Sequence, residues 1–175
     1  MTRNIGCQNL CDREDCLICL HPNSKGNCKK ESVTYQISCN RPPCRDNFNS
    51  AKPFQFLDQP DQPPGLYRGE TSRTGYRRGL GHLRDYRSKK DSSPLWRHTQ
   101  TVHSSTLGEE RGKLDYQMVQ IEQWPRPMDR LSAEGVLIQE LESMHRQGRA
   151  DCLNSKLDYQ QTHTVTLNFN QGSNL

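Results

Sequence analysis

The stretch Leu66-Tyr67-Arg68-Gly69-Glu70-Thr71-Ser72-Arg73-Thr74-Gly75-Tyr76-Arg77-Arg78-Gly79-Leu80-Gly81-His82 decides how this chain is read, because a short strand, a polar turn and a helix start follow one another within it. Leu66 and Tyr67 suit a strand edge, Gly69 permits a tight turn, and Thr71 or Ser72 can cap a helix running from near Arg73 to about Arg87. Arg78 and His82 stand four apart and so share one helix face. That face pairs a guanidinium with an imidazole, groups suited to holding a phosphate and moving a proton. Taken alone, the same stretch also reads as a solvated basic helix.

Upstream, Val33-Thr34-Tyr35-Gln36-Ile37-Ser38-Cys39 reads as a strand carrying a tyrosine. Seven of the eight cysteines precede residue 45. The start of the chain lacks the character of a secretory signal, so such a cluster points to metal rather than disulfides. Cys16-Leu17-Ile18-Cys19 has the spacing of half a tetrahedral zinc site, and Cys11, Cys16, Cys19 and Cys28 form the preferred ligand set, with Cys7 or His21 able to replace one member. Cys39 and Cys44 are either half of a second site, completed by Cys7 and a histidine, or free thiols at a strand end. From Arg45 to Gly65 the chain is rich in Asn, Asp, Gln and Pro, which excludes a long helix and reads as an inserted surface loop.

Downstream, Pro94 suits the first turn of a helix with Leu95, Trp96, His98 and Val102 on its apolar side, and Asp115 to Ile121 reads as a third strand. Met128 to Arg146 is the clearest helix, with Leu131, Ile138 and Leu141 forming a stripe that also contains Glu134. A carboxylate there is costly unless a cation or a donor meets it. His163 to Phe169 reads as a last strand, before a frayed tail.

A hydrophobic content of 31% and a mean hydropathy of -1.01 leave only a small core, so metal must supply part of the folding free energy of the cysteine-rich segment. No apolar run has transmembrane length, and the expectation is a soluble intracellular protein, nuclear in a eukaryote and otherwise cytoplasmic, with no membrane partner. The net charge is +4, but Arg68, Arg73, Arg77, Arg78, Arg84, Arg87, Lys89, Lys90 and Arg97 crowd the central third. A local field of this kind favours a polyanion, and nucleic acid is the natural partner.

In their order along the chain, these pieces resemble the GIY-YIG nuclease family. Val33-Thr34-Tyr35 stands in the place of Gly-Ile-Tyr and Tyr67-Arg68-Gly69 in that of Tyr-Ile-Gly, with the helix arginine at Arg78, the metal carboxylate at Glu134 and the late asparagine at Asn154. The Gly69-Glu70-Thr71-Ser72-Arg73 segment, followed by Arg78 and His82, looks most like the branch attached to Penelope-like retroelements and related mobile or viral reading frames. The resemblance implies an α+β fold: a small three-stranded sheet flanked by helices at 32–160, with an inserted loop at 45–65, an N-terminal zinc module at 1–31 and a tail at 161–175. It further implies a DNA endonuclease that uses Mg²⁺ or Mn²⁺ on Glu134 alongside structural Zn²⁺, with a reverse transcriptase domain as a partner in any larger polyprotein.

The resemblance implies that Tyr35 orients or deprotonates water, Tyr67 contacts phosphate or water, Arg78 neutralises the phosphate, and Asn154 bonds an active-site group or phosphate. His82 competes with Tyr35 as general base. Arg73, Arg77, Arg84, Arg87, Lys89 and Lys90 are the expected nucleic-acid contacts. The chain departs from the family at Gly81, where glutamate is common, at Arg68, where the residue is usually apolar, and in the long connection from Tyr35 to Tyr67. Two rivals belong to other classes. One is a zinc-dependent binding module that cuts nothing; the other is a cysteine hydrolase using Cys152 with His145 or His163.

Overall fold

A computed structural model describes residues 11, 13–19, 27–41, 44, 64–104 and 116–154. Its elements, in order, are β1 (Val33–Cys39), β2 (Gly65–Thr71), α1 (Gly75–Arg87), α2 (Pro94–Val102), β3 (Tyr116–Gln123), α3 (Pro127–Arg146) and β4 (Asp151–Cys152). The sheet has four strands in the order β3-β1-β2-β4, one more than the three expected. β4 is the addition: two residues lying parallel to the start of β2, too short to show any periodicity. The strand expected at His163 to Phe169 lies outside the described residues.

The two tyrosine strands pair directly and antiparallel despite the long connection between them, with Tyr35 opposite Gly69 and Ile37 opposite Tyr67. β2 already begins at Gly65, which the loop expectation included. Because side chains alternate along a strand, Tyr35, Ile37 and Tyr67 face α1 and α2, while Leu66, Arg68 and Glu70 face α3. Tyr116 and Met118 of β3 extend the first face, and Tyr116 is fixed by its hydroxyl between Thr99 and the Leu95 carbonyl.

Helix α1 starts at Gly75, capped by the side chain of Thr74 rather than by Thr71 or Ser72. Thr71 is still extended, paired with Val33, and its hydroxyl accepts from the Arg73 N–H. Two N–H groups in the first turn of α1, those of Gly75 and Tyr76, donate to the carbonyls of Lys30 and Cys28. The cysteine-rich segment therefore closes the end of this helix. It also closes the outer edge of β3, where the Met118 N–H donates to Leu17, and it places Leu17 and Ile18 in the same core as Tyr35 and Met118. Among the described residues, no helix is long and apolar enough to cross a membrane.

Candidate functional site

Four of the expected site residues meet on the α1 face. Arg78 lies one turn before His82 on α1, and both side chains reach the Tyr35 hydroxyl: Arg78 Nε donates to it at 2.7 Å, and His82 Nε2 stands 2.9 Å away. Arginine can only donate, so the phenol oxygen accepts from Arg78 and its own proton is directed at His82. Burial and the Arg78 charge lower His82 to about 3, which keeps the imidazole neutral and able to accept. Burial, then Tyr67, raise Tyr35 well above the usual phenol range, although Arg78 works the other way. Burial opposes the Arg78 charge too, but the two phenols outweigh it and hold the guanidinium above its ordinary value. Tyr67 completes the group, with its ring 5.2 Å from that of His82 and 6.2 Å from that of Tyr35.

Gly69 makes room for this packing. A Cβ added there would lie 2.7 Å from the Tyr35 hydroxyl oxygen and 3.0 Å from Tyr67 Cε1, with both rings buried and unable to retreat freely. Gly69→Ala is expected to destabilise the fold by about 1–3 kcal/mol, as overpacked cores do, and urea unfolding measures it.

Glu134, half-buried on α3, reaches the outer edge of β2, where its Oε1 accepts from the Glu70 N–H at 3.1 Å. Glu70 follows Gly69, so the carboxylate is anchored one residue from the glycine over which the Tyr35 hydroxyl lies. Its charge is felt there as one of the influences raising Tyr35. Buried Arg130 of α3 pairs with Glu70 beside it. Asn154 lies at the same edge of β2: its amide accepts from the Arg68 N–H at 2.9 Å and donates to the Arg68 carbonyl at 2.6 Å. It thus continues the edge of β2 as another strand would, and holds no group of the tyrosine cluster.

Arg68 is also corrected. Rather than contributing to an exposed basic field, it is buried on the α3 face, where it bonds Gln36, the Leu137 carbonyl and Glu140. Arg73, Arg77, Arg84, Arg87, Lys89, Lys90 and Arg97 are exposed; Arg77, Arg84 and Arg87 recur at helical spacing along one outer stripe of α1, and Arg73 precedes its cap. Lys89 and Lys90 follow in the turn after α1, Lys89 lying over Trp96 and Lys90 beside Asp85.

The structure brings two further groups together. The sulfurs of Cys11, Cys16, Cys19 and Cys28 lie within 4.8 Å of one another, and so do the ligand atoms of Cys39, Cys44, His98 and His103. Tetrahedral Zn–S bonds of ~2.3 Å place neighbouring sulfurs about 3.8 Å apart, and a sulfur and an imidazole nitrogen about 3.6 Å apart. The Cys28 to Cys11 separation is 3.8 Å. In the second group, Cys39 to His103, Cys44 to His103 and Cys44 to His98 measure 3.3, 3.6 and 3.7 Å. Both groups have the donors and the spacing of a zinc site. In the first, burial pushes the Cys28 thiol up to about 12 and the Cys16 charge adds to it, a repulsion between thiolates that a dication removes.

The second group bears out Cys39 and Cys44 as half of a second site, with two histidines of the α2 region supplying the other half where Cys7 and one histidine were expected. Cys7 and His21 lie outside the described residues. The missed signal was a Cys-x₄-Cys followed by a His-x₄-His, a zinc-ligand spacing whose halves stand 54 residues apart. Cys152 has its thiol raised by burial, the opposite of an activated nucleophile, and the His145 ring is bonded to the Ala150 carbonyl; His163 lies outside the described residues. Compared with models of known protein families, with curated proteins and with solved structures, the chain matches none.

Proposed function

We propose that this chain is a metal-dependent DNA endonuclease of the GIY-YIG type, hydrolysing phosphodiester bonds at the cluster of Tyr35, Tyr67, Arg78, His82 and Glu134. The observation that carries the reading is the Tyr35 hydroxyl, held between a cationic donor and a neutral imidazole acceptor, beside the strand edge where Glu134 is anchored.

In this reading Tyr35 passes its proton to His82 as it receives one from the attacking water, so the phenol never has to ionise on its own against its burial. Arg78 keeps its charge throughout and stabilises negative charge gathering on the phosphate oxygens. Glu134 would hold the divalent cation, which when bound would supply Lewis-acid polarisation of the phosphate. The carboxylate of Glu134 fits Mg²⁺ or Mn²⁺, which favour hard oxygen donors. The exposed arginines Arg77, Arg84 and Arg87 lie along the same helix as Arg78, with Arg73 just before its cap, and track the DNA backbone by charge.

One observation favours the second reading, a zinc-dependent module that grips nucleic acid without cutting it: Tyr35 is 0% exposed, and a residue that takes a proton from water has to be uncovered when it does so. Supercoiled plasmid with Mg²⁺ separates the two. The nuclease reading expects nicking by the wild type and a loss of about 10²-fold or more in Tyr35→Phe, the scale of general-base removal. Equal DNA binding by both proteins with no nicking by either establishes the binder.

A further inference from the structure

The second Cys/His group is tied to the sheet through a residue that is not a ligand. We propose that Asp151 is a positioning residue of the Cys39, Cys44, His98, His103 centre, and that through it metal occupancy of the centre and the seating of β4 on β2 become one equilibrium.

The His98 ring has a distinct partner on each side. Its Nδ1 lies 3.1 Å from Asp151 Oδ2, while Nε2 faces Cys44 Sγ at 3.7 Å. A carboxylate on Nδ1 fixes the proton there and leaves the Nε2 lone pair for a metal, the carboxylate–histidine–zinc arrangement that orients a ligand and raises its basicity. The side chain of His98 is fully buried, so no water replaces Asp151 as acceptor without rearrangement. Gly65 completes the seat: a Cβ there would stand 2.6 Å from both Cε1 and Nε2 of the ring, and Gly65 is the β2 residue paired with Asp151. The ring can lie in this place only because β2 presents no side chain to it and β4 presents a carboxylate.

The coupling runs in the other direction as well. β4 has two residues, and its hold on β2 includes the Asp151 N–H to the Pro64 carbonyl, the Leu153 N–H to the Leu66 carbonyl, and the Asn154 amide on Arg68. So short a strand has little stability of its own. The bond from Asp151 to His98 ties it to α2, whose His98 is fixed in turn by the metal. Whatever β4 contributes to metal binding, the metal returns to β4 by linkage.

The test uses the full zinc-loaded chain with Asp151→Ala and Asp151→Asn, titrated against a chromophoric chelator. In Asp151→Ala one of the two zinc ions is expected to bind 10–100-fold more weakly, the scale of losing an outer-shell carboxylate, while the Cys₄ zinc is unchanged. Asp151→Asn, whose amide oxygen still accepts from Nδ1, is expected to recover part of the loss. Cobalt(II) in the Cys₂His₂ centre is expected to shift its visible bands in both variants. His103→Ala supplies the reverse arm: amide exchange at Leu153 should accelerate, while Met118, paired with Leu17 of the first centre, stays protected. Equal zinc affinity in Asp151→Ala and wild type overturns the proposal, as does equal weakening of both zinc ions or unchanged exchange at Leu153. Should Asp151→Ala fail to fold, Asp151→Asn carries the test, and unchanged cobalt bands overturn it.

Discussion

Glu134→Gln is expected to lower Mg²⁺-dependent plasmid nicking by on the order of 10³-fold while leaving DNA binding and folding nearly intact. The amide is the informative substitution because Glu134 has two roles that alanine would remove together. Its Oε1 accepts from the Glu70 N–H at the edge of β2, and an unsatisfied N–H there would cost about 1–3 kcal/mol. Glutamine keeps that acceptor and deletes only the charge. A hard dication holds a neutral amide oxygen far less tightly than a carboxylate. Lewis-acid stabilisation is worth several kcal/mol, and each ~1.4 kcal/mol is tenfold in rate, which sets the expected loss. Deleting the charge also removes an influence that raises Tyr35, so a tyrosine titration followed by ultraviolet absorbance should move to lower pH. Nicking by Glu134→Gln at the wild-type rate would remove Glu134 from the reaction.

Local spacing carried the features of this chain that were legible in its sequence. Cys11, Cys16, Cys19 and Cys28 converge because the knuckle and its turns fall within one short segment, and Arg78 and His82 share a face because four residues make about one turn. What escaped the sequence depended on separation or on competing demands. Nothing local joins Cys39 and Cys44 to His98 and His103; strand β1 and helix α2 bring them together only once the sheet has formed. Thr71, Ser72 and Thr74 are all able caps, and pairing with Val33 keeps Thr71 in the strand, so the choice moved to Thr74. Arg68 belongs to a run of exposed cations by composition, yet strand alternation puts it on the α3 face with Leu66, where Glu140 and the Leu137 carbonyl receive it. Asn154 shows the same limit: its amide is engaged by a backbone whose edge position the sequence does not reveal.

Removing both zinc ions is expected to unfold the chain, not merely to loosen its cysteine-rich segment. A structural zinc contributes roughly 10–16 kcal/mol of apparent binding free energy, whereas a whole domain is stable by only about 5–15 kcal/mol. The architecture transmits that loss widely. The first centre holds the segment that satisfies the first turn of α1, covers the edge of β3 and inserts Leu17 and Ile18 into the main core. The second joins the end of β1 to α2 and, through His98, to β4. With 31% hydrophobic residues, the chain has little other apolar surface to compensate. Metal analysis should therefore find two zinc ions per chain, one for each group, and Cys16→Ser or His103→Ala should each remove one. A strong chelator at neutral pH should abolish the far-ultraviolet dichroism of the three described helices, and Zn²⁺, but not Mg²⁺, should restore it. Acid should act in the same direction, because thiolate and imidazole ligands take up protons as the metal leaves. A zinc-free chain with undiminished helical dichroism would show that the apolar core between α1 and the sheet suffices, and that neither centre holds the fold.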